Sequence, residues 1–319
     1  MKKNQFLIFL MILSLQVFSQ TEIYNKIEIE LKQPYEEISS LGKYRYDSLS
    51  YLEAQSQKQF IYEKFSYKSD GLEIEGLSCI PKNRKGKKIP VIIYNRGGTG
   101  NYGRLSEEDL PDFYWLAKNG FAVFASNYRF VDELGRVDQV GGDDVNDVLN
   151  LIKLVKEIEF VDTSNIFMMG ISRGGQMTYQ SLKEIKLNAA AVLGGVADLE
   201  LQAKNRPIFI NGWSDLEEEY NYKGLQNILP DFENNKEHYL NMRSAVKWAD
   251  QINTPVYILH SRQDGRVSVM GAIEMARQLQ LHKKEFKLKI YDKKSHSLPY
   301  SKFDSFQEIV NWFKSHFKF

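Results

Sequence analysis

A chain of 319 residues with 42 Lys and Arg against 41 Asp and Glu carries a formal charge of +1, which excludes a protein that holds nucleic acid through a broad basic surface. With 43 % hydrophobic and 26 % charged residues it has the material for a sizeable core, and the collagen-like, disordered and disulfide-scaffold classes are excluded. Its single cysteine, Cys79, cannot close an internal disulfide, and the length suits either two domains or one large α/β domain.

In chain order, Lys2 and Lys3 precede an apolar run from Phe6 to Leu15, and Val17-Phe18-Ser19 offers a small residue where a signal peptidase would cut. Residues 1–19 therefore read as a secretory signal peptide. A bilayer-spanning anchor takes about 20 apolar residues, and Gln16 and Gln20 break this run. Cleavage near Ser19 or Gln20 also removes two of the basic residues, so an exported protein of nearly zero charge, periplasmic or secreted and without stable membrane insertion, is expected. Residues 20–64 are polar, with Leu31, Tyr35, Ile38, Leu41, Tyr44 and Tyr46 at irregular spacing. They read as an N-terminal extension packed on a catalytic domain over 65–319.

From Phe65 the pattern is strand-like. Phe65 to Tyr67 leads through Ser69-Asp70-Gly71 into the alternating Leu72-Glu73-Ile74-Glu75, which predicts a hairpin at a sheet edge. Apolar, largely β-branched runs follow at Pro90–Tyr94, Phe121–Ala125, Ile166–Met169, Ala189–Leu193, Val256–Leu259 and Phe286–Ile290. Helix-period segments separate them at Leu110–Lys118, Val145–Val155, Gln176–Ile185, Val269–Leu281 and Phe303–Phe317. Strands alternating with amphipathic helices demand parallel pairing with right-handed crossovers, hence a doubly wound α/β sheet with helices on both faces. Residues 199–248 break the rhythm with Pro207, Trp213, the acidic run Glu217–Glu219 and Trp248. They read as an insertion over the carboxyl ends of the strands, a cap or lid.

Directly after the run Ile166–Met169 comes Gly170-Ile171-Ser172-Arg173-Gly174-Gly175, then the helical Gln176-Met177-Thr178-Tyr179. This is G-x-S-x-G in a strand-turn-helix setting, with glycine where a side chain would strike the neighbouring strand or helix. It presents Ser172 as a candidate nucleophile, although a glycine-rich turn with a spare serine has the same residues. A serine hydroxyl needs a base, and that base needs a carboxylate to hold its tautomer. Of the five histidines, His316, His282, His238 and His260 fall in helices, beside lysines, in the insertion or at a strand end. His296 sits in the loop between the last strand and the last helix, where α/β folds place reactive groups. One strand earlier the loop Ser261–Val267 supplies Asp264. Asp198, after Ala189–Leu193, competes as the acid and otherwise caps a helix or turn. The order Ser172, Asp264, His296 follows Ser…Asp…His.

Oxyanion donors are expected from the backbone N–H of Arg173 and from the loop Asn95-Arg96-Gly97-Gly98-Thr99-Gly100, with Gly97 and Gly98 allowing close backbone approach. That loop fits neither dinucleotide nor Walker spacing. With neither H-E-x-x-H nor a Cys/His cluster, metal or cofactor chemistry has no support.

These segments, together with Gly141-Gly142-Asp143-Asp144-Val145, resemble the catalytic domain of the prolyl oligopeptidase (S9) family, within the α/β-hydrolase superfamily, over roughly residues 65–319. The resemblance implies an eight-stranded, mostly parallel sheet and a catalytic set of Ser172, Asp264 and His296. Members with a β-propeller restrict entry to short peptides, and too few residues precede Phe65 to build one. Some members place a tyrosine in the oxyanion hole where Arg96 stands in this chain, so Arg96 is a candidate to meet substrate, with a structural ion-pair role as the alternative. Trp213, with Tyr220 in the insertion, suits stacking on a sugar and equally suits core packing, the commoner role of such residues. The implied function is an exported serine hydrolase, a peptidase acting on short peptides through an acyl-enzyme. The alternatives are a carboxylic ester hydrolase, including one acting on acylated carbohydrate, and a binding protein that kept the fold.

Overall fold

A computed structural model of the chain describes residues 22–130, 137–212 and 222–318. The signal peptide expected over 1–19, and Trp213, lie outside them. The described strands are β1 (Ile23–Ile29), β2 (Phe60–Ser69), β3 (Leu72–Pro81), β4 (Ile89–Asn95), β5 (Ala122–Ser126), β6 (Val161–Ile171), β7 (Ala189–Leu193), β8 (Val256–Ser261) and β9 (Phe286–Tyr291). They form one sheet in the order β1-β2-β3-β5-β4-β6-β7-β8-β9. Pairing is antiparallel from β1 to β5 and parallel from β5 through β4 to β9.

The α/β-hydrolase fold expected from the sequence is present, with nine described strands rather than eight. The extra one, β1, comes from the extension. Its alternation is interrupted by a register shift between Tyr24 and Ile27, where Asn25 adopts φ 50°, and a bulge of this kind hides a strand from a period-of-two reading. The boundary drawn at residue 65 falls inside β2, which pairs with β3 from Phe60 onward. The β2–β3 hairpin closes through Asp70 (φ 50°) and Gly71 (φ 80°), the left-handed pair that a tight two-residue turn requires.

The helices follow in chain order: α1 (Ser40–Arg45) and α2 (Ser48–Ser56) in the extension, then α3 (Leu110–Lys118), α4 (Val145–Lys156) and α5 (Arg173–Glu184). The insertion contains α6 (Leu199–Asn205), α7 (Ile208–Asn211), α8 (Leu225–Ile228) and α9 (Phe232–Met242), and α10 (Val269–Leu281) and α11 (Ser305–Ser315) complete the chain. Side chains alternate across a strand, so Val91 and Ile93 of β4 pack with α4, α5 and α10, while Ile92 and Tyr94 pack with α2, α3 and α11. Cover on both faces explains why the central strands read as continuous apolar runs. The insertion builds a small core of its own from Leu199, Phe209, Tyr222, Leu225, Phe232 and Leu240, and joins it to Val196 after β7 and Val267 after β8.

Candidate active site

Strand β6 ends at Ile171 and α5 begins at Arg173, leaving Ser172 alone at the turn with φ 58° and ψ −121°. A non-glycine residue there costs on the order of 1–3 kcal/mol, offset by the packing of strand and helix on either side. The turn is anchored by the Ser172 N–H donating to the Leu193 carbonyl at 2.9 Å. At Gly174 a methyl group would fall 2.0 Å from the Asn95 carbonyl oxygen, so only glycine lets α5 approach the end of β4. The result is a serine at the amino end of a helix, where unsatisfied N–H groups and the helix dipole favour negative charge.

His296 and Asp264 come together from the loops after β9 and β8. His296 Nδ1 lies 2.8 Å from Asp264 Oδ2 and 3.0 Å from Oδ1. Asp264 Oδ1 also accepts the backbone N–H groups of Arg266 and Val267 at 2.8 and 3.0 Å. Burial alone would raise the Asp264 carboxyl, but donation from His260, His296 and the Val267 N–H holds it well below the ordinary carboxylate range. It therefore stays ionised at neutral pH and fixes the proton of His296 on Nδ1, leaving Nε2 as the basic nitrogen. The His296 loop is pinned by Ser261 Oγ, which donates to the Lys293 carbonyl and accepts the Ser295 N–H at 3.3 Å. Ser295 Oγ in turn accepts the Leu298 N–H at 3.1 Å and meets Tyr44 Oη of α1 at 2.7 Å.

Ser172 and His296 line the same cleft, of about 520 Å³. Its walls are Leu41 and Tyr44 of α1, Tyr94, Gly97 to Thr99, Tyr102 and Phe209, with Arg45, Arg206 and Arg266 also on the lining. The extension thus supplies part of the cleft wall, which its irregular spacing did not reveal. Gly97 sits against Ser172: a methyl placed on it would lie 3.4 Å from Ser172 Cβ and 3.1 Å from the Ile171 carbonyl oxygen. Gly98, at φ 81°, has the Tyr102 carbonyl oxygen 1.9 Å from where a methyl would stand. The backbone of Gly97 thus comes up beside the serine, which Arg173 follows directly in the chain.

The candidates that do not join the set have ordinary roles. Asp198 caps α6, accepting the Leu201 N–H at 3.0 Å. His316 bonds the Trp312 carbonyl and faces Glu285. His282 and His238 lie at the end of α10 and on α9. Arg96 is corrected from a substrate group to a structural one. Although it borders the cleft, it is 1 % exposed, because its guanidinium donates to the carbonyls of Gly97, Gly100, Tyr102 and Asn127 at 2.9–3.3 Å. It also lies 5.2 Å from the Tyr128 ring centroid and 5.0 Å from that of Phe130. Burial brings Arg96 down to about 10, so it remains a cation that holds the glycine loop in shape from below.

The Arg173 side chain was not singled out by the motif. It is buried, donating to Asp138 at 3.1 Å and to Asp144. Burial opposes its charge, but the two carboxylates facing it hold it above its ordinary value. Asp138 also accepts the Gly100 N–H at 3.3 Å and the Val140 N–H at 2.7 Å. One guanidinium thus ties the elbow to the glycine loop. The segment Gly141–Val145 was visible in the sequence as a matching motif, but not the partner of its Asp144. Among the described residues no group of three or more His, Cys, Asp or Glu side chains could hold a metal ion, and no helix is long and apolar enough to cross a membrane.

Comparison with known proteins agrees with this geometry. The model of the prolyl oligopeptidase family matches residues 108–319. The acylamino-acid-releasing enzyme of Rattus norvegicus is 26 % identical over 254 residues, 77 % of this chain but only 34 % of its own length. The chain thus spans about a third of that relative. A protein of Bacillus subtilis (strain 168), described as uncharacterized peptidase YtmA, is 26 % identical over 220 residues, 68 % of this chain and 79 % of its own. Among solved structures, Pyrococcus horikoshii acylaminoacyl peptidase superposes with a TM-score of 0.65 at 22 % identity, over 84 % of this chain and 43 % of that one. At that identity the likeness establishes the α/β-hydrolase fold.

Proposed function

Because this chain belongs to the prolyl oligopeptidase family, we propose that it is a serine peptidase that cleaves short peptides whose amino terminus carries no charge. The observation that carries the reading is the hydrogen-bonded pair His296–Asp264 on one cleft with the strained Ser172. Ser172 Oγ attacks the scissile carbonyl and passes its proton to His296 Nε2. Charge on the carbonyl oxygen meets the N–H of Arg173 and those of the Gly97–Gly98 loop. His296 then protonates the leaving amine, and water releases the acyl group by the same steps in reverse.

The choice of amino terminus rests on the charges along the cleft. Among its described lining residues the only carboxylate is Asp109, and Arg45 already pairs with it at 2.6 Å. Among the described residues a substrate ammonium would find arginines and no carboxylate but the paired Asp109, whereas an acylated terminus meets the apolar and aromatic wall of Leu41, Tyr44 and Phe209 without penalty. The names of the acylamino-acid-releasing relatives support the same class.

A panel of anilides tests this. With one aminoacyl group, kcat/KM for the N-acetylated anilide is expected to exceed that for the free amine by about tenfold or more. The reverse order overturns the terminus preference. Turnover of acetyl or aryl esters alone would make the protein an ester hydrolase, and no turnover together with no covalent labelling would make it a binding protein. We extend the proposal to export, from Lys2, Lys3 and the apolar run Phe6–Leu15. Expressed in a bacterium, the exported form is expected to begin at residue 20 or 21 by amino-terminal sequencing. An intact Met1 on the cytoplasmic product alone would reverse that.

A further inference from the structure

His260 ends up behind the catalytic pair, and no step above uses it. It lies near the end of β8, 0 % exposed, with Nε2 3.0 Å from the Val267 carbonyl oxygen and 3.4 Å from Asp264 Oδ2. Its Nδ1 is buried without a hydrogen-bond partner. A carbonyl oxygen can only accept, so Nε2 must carry the proton. A bare lone pair on Nδ1 is then less costly to bury than a bare N–H would be. The ring is thus a neutral Nε2–H tautomer whose one donor points into the gap between a carbonyl and the catalytic carboxylate.

From this arrangement we infer that His260 is a positioning residue of the hydrolase, holding the Asp264 carboxylate oxygen that His296 also meets. The inference rests on the Ser172–His296–Asp264 reading. The lock is a closed ring of contacts. Val267 gives its N–H to Asp264 Oδ1 and its carbonyl receives His260, so turn and carboxylate are clamped by the same imidazole. Oδ2 lies between His296 Nδ1 at 2.8 Å and His260 Nε2 at 3.4 Å. Without His260 the carboxylate keeps its backbone donors on one oxygen but loses a constraint on the other, the oxygen nearer His296 Nδ1. The depression of the Asp264 carboxyl, in which burial is outweighed by donors that include His260, agrees with that contact.

The test compares His260→Phe, which keeps the ring's bulk but no donor, with His260→Gln, whose amide N–H takes the place of Nε2–H. On the best anilide of the panel, His260→Phe is expected to lower kcat about 10- to 100-fold, by analogy with the loss of groups that orient the ligands of a metal site, with KM within about twofold. Such a split marks an interaction made in the transition state. His260→Gln should recover most of kcat. Histidine-labelled ¹⁵N NMR of the unaltered protein should show His260 as the Nε2–H tautomer. Wild-type kcat in folded His260→Phe, no gain from Phe to Gln, or an Nδ1–H tautomer overturns the inference. If His260→Phe does not fold, the tautomer and the kcat of His260→Gln decide it. Covalent labelling that survives Ser172→Ala would instead overturn the triad reading, whatever His260 shows.

Discussion

Ser172→Ala is expected to abolish labelling by a fluorophosphonate probe and to lower kcat/KM by about 10⁴- to 10⁶-fold, while thermal unfolding stays at or above that of the unaltered protein. The size follows from how a triad works: nucleophile, base and acid act as one unit, so loss of the serine alone forfeits nearly everything except the oxyanion donors and binding. The unchanged stability follows from the site. No hydrogen bond of the Ser172 side chain holds α5 in place; its backbone N–H, which survives the substitution, bonds to Leu193. The left-handed φ of 58° costs alanine much what it costs serine. Labelling in the variant, or turnover within about tenfold of the unaltered protein, would move the nucleophile elsewhere.

The second large effect concerns Arg173→Met, one residue further on, where the damage should be structural first. This substitution leaves Asp138 and Asp144, both buried, without the guanidinium that hydrogen-bonds to both. Breaking a buried pair by removing one partner costs about 3–5 kcal/mol, because the remaining charge is stranded in low dielectric. Urea unfolding should show that loss. Arg173→Lys should fall between, since it keeps the positive charge but not the guanidinium whose Nη2 meets both carboxylates. Activity should drop as well, because Asp138 holds the Gly100 N–H and so the loop that brings Gly97 against Ser172. A urea midpoint equal to that of the unaltered protein would show that the cluster is solvated and contributes little.

These two neighbours show where sequence reading succeeds. The sharp turn at Ser172 was legible because it needs glycines at fixed offsets with a strand before and a helix after, all local features. Asp264 and His296 were legible from chain order, since each follows a strand run and loops at strand carboxyl ends share one edge of a parallel sheet. The Arg173 guanidinium was not, because its partners lie 35 and 29 residues upstream in a segment with no periodic pattern. Arg96 reads from the sequence as a candidate to meet substrate or as a structural ion-pair partner, and its place beside the glycine loop does not choose between them. Only the fold shows four carbonyls turned toward it. The extension escaped for a different reason: α1 and α2 are short and β1 carries a bulge, so no period extends far enough to be recognised.

The amino-acid sequence by itself determined the alternation of strands and helices, hence the doubly wound sheet, and the identity of the three residues that its edge gathers. Those depend on local spacing and on the handedness of crossovers, which a linear chain encodes directly. Tertiary structure alone decided which charged groups are spent on holding loops, that α1 walls the cleft beside Ser295, and that His260 stands behind Asp264. Burial and partnership of this kind arise from segments distant in the chain meeting in space, and no spacing along the chain records such a meeting.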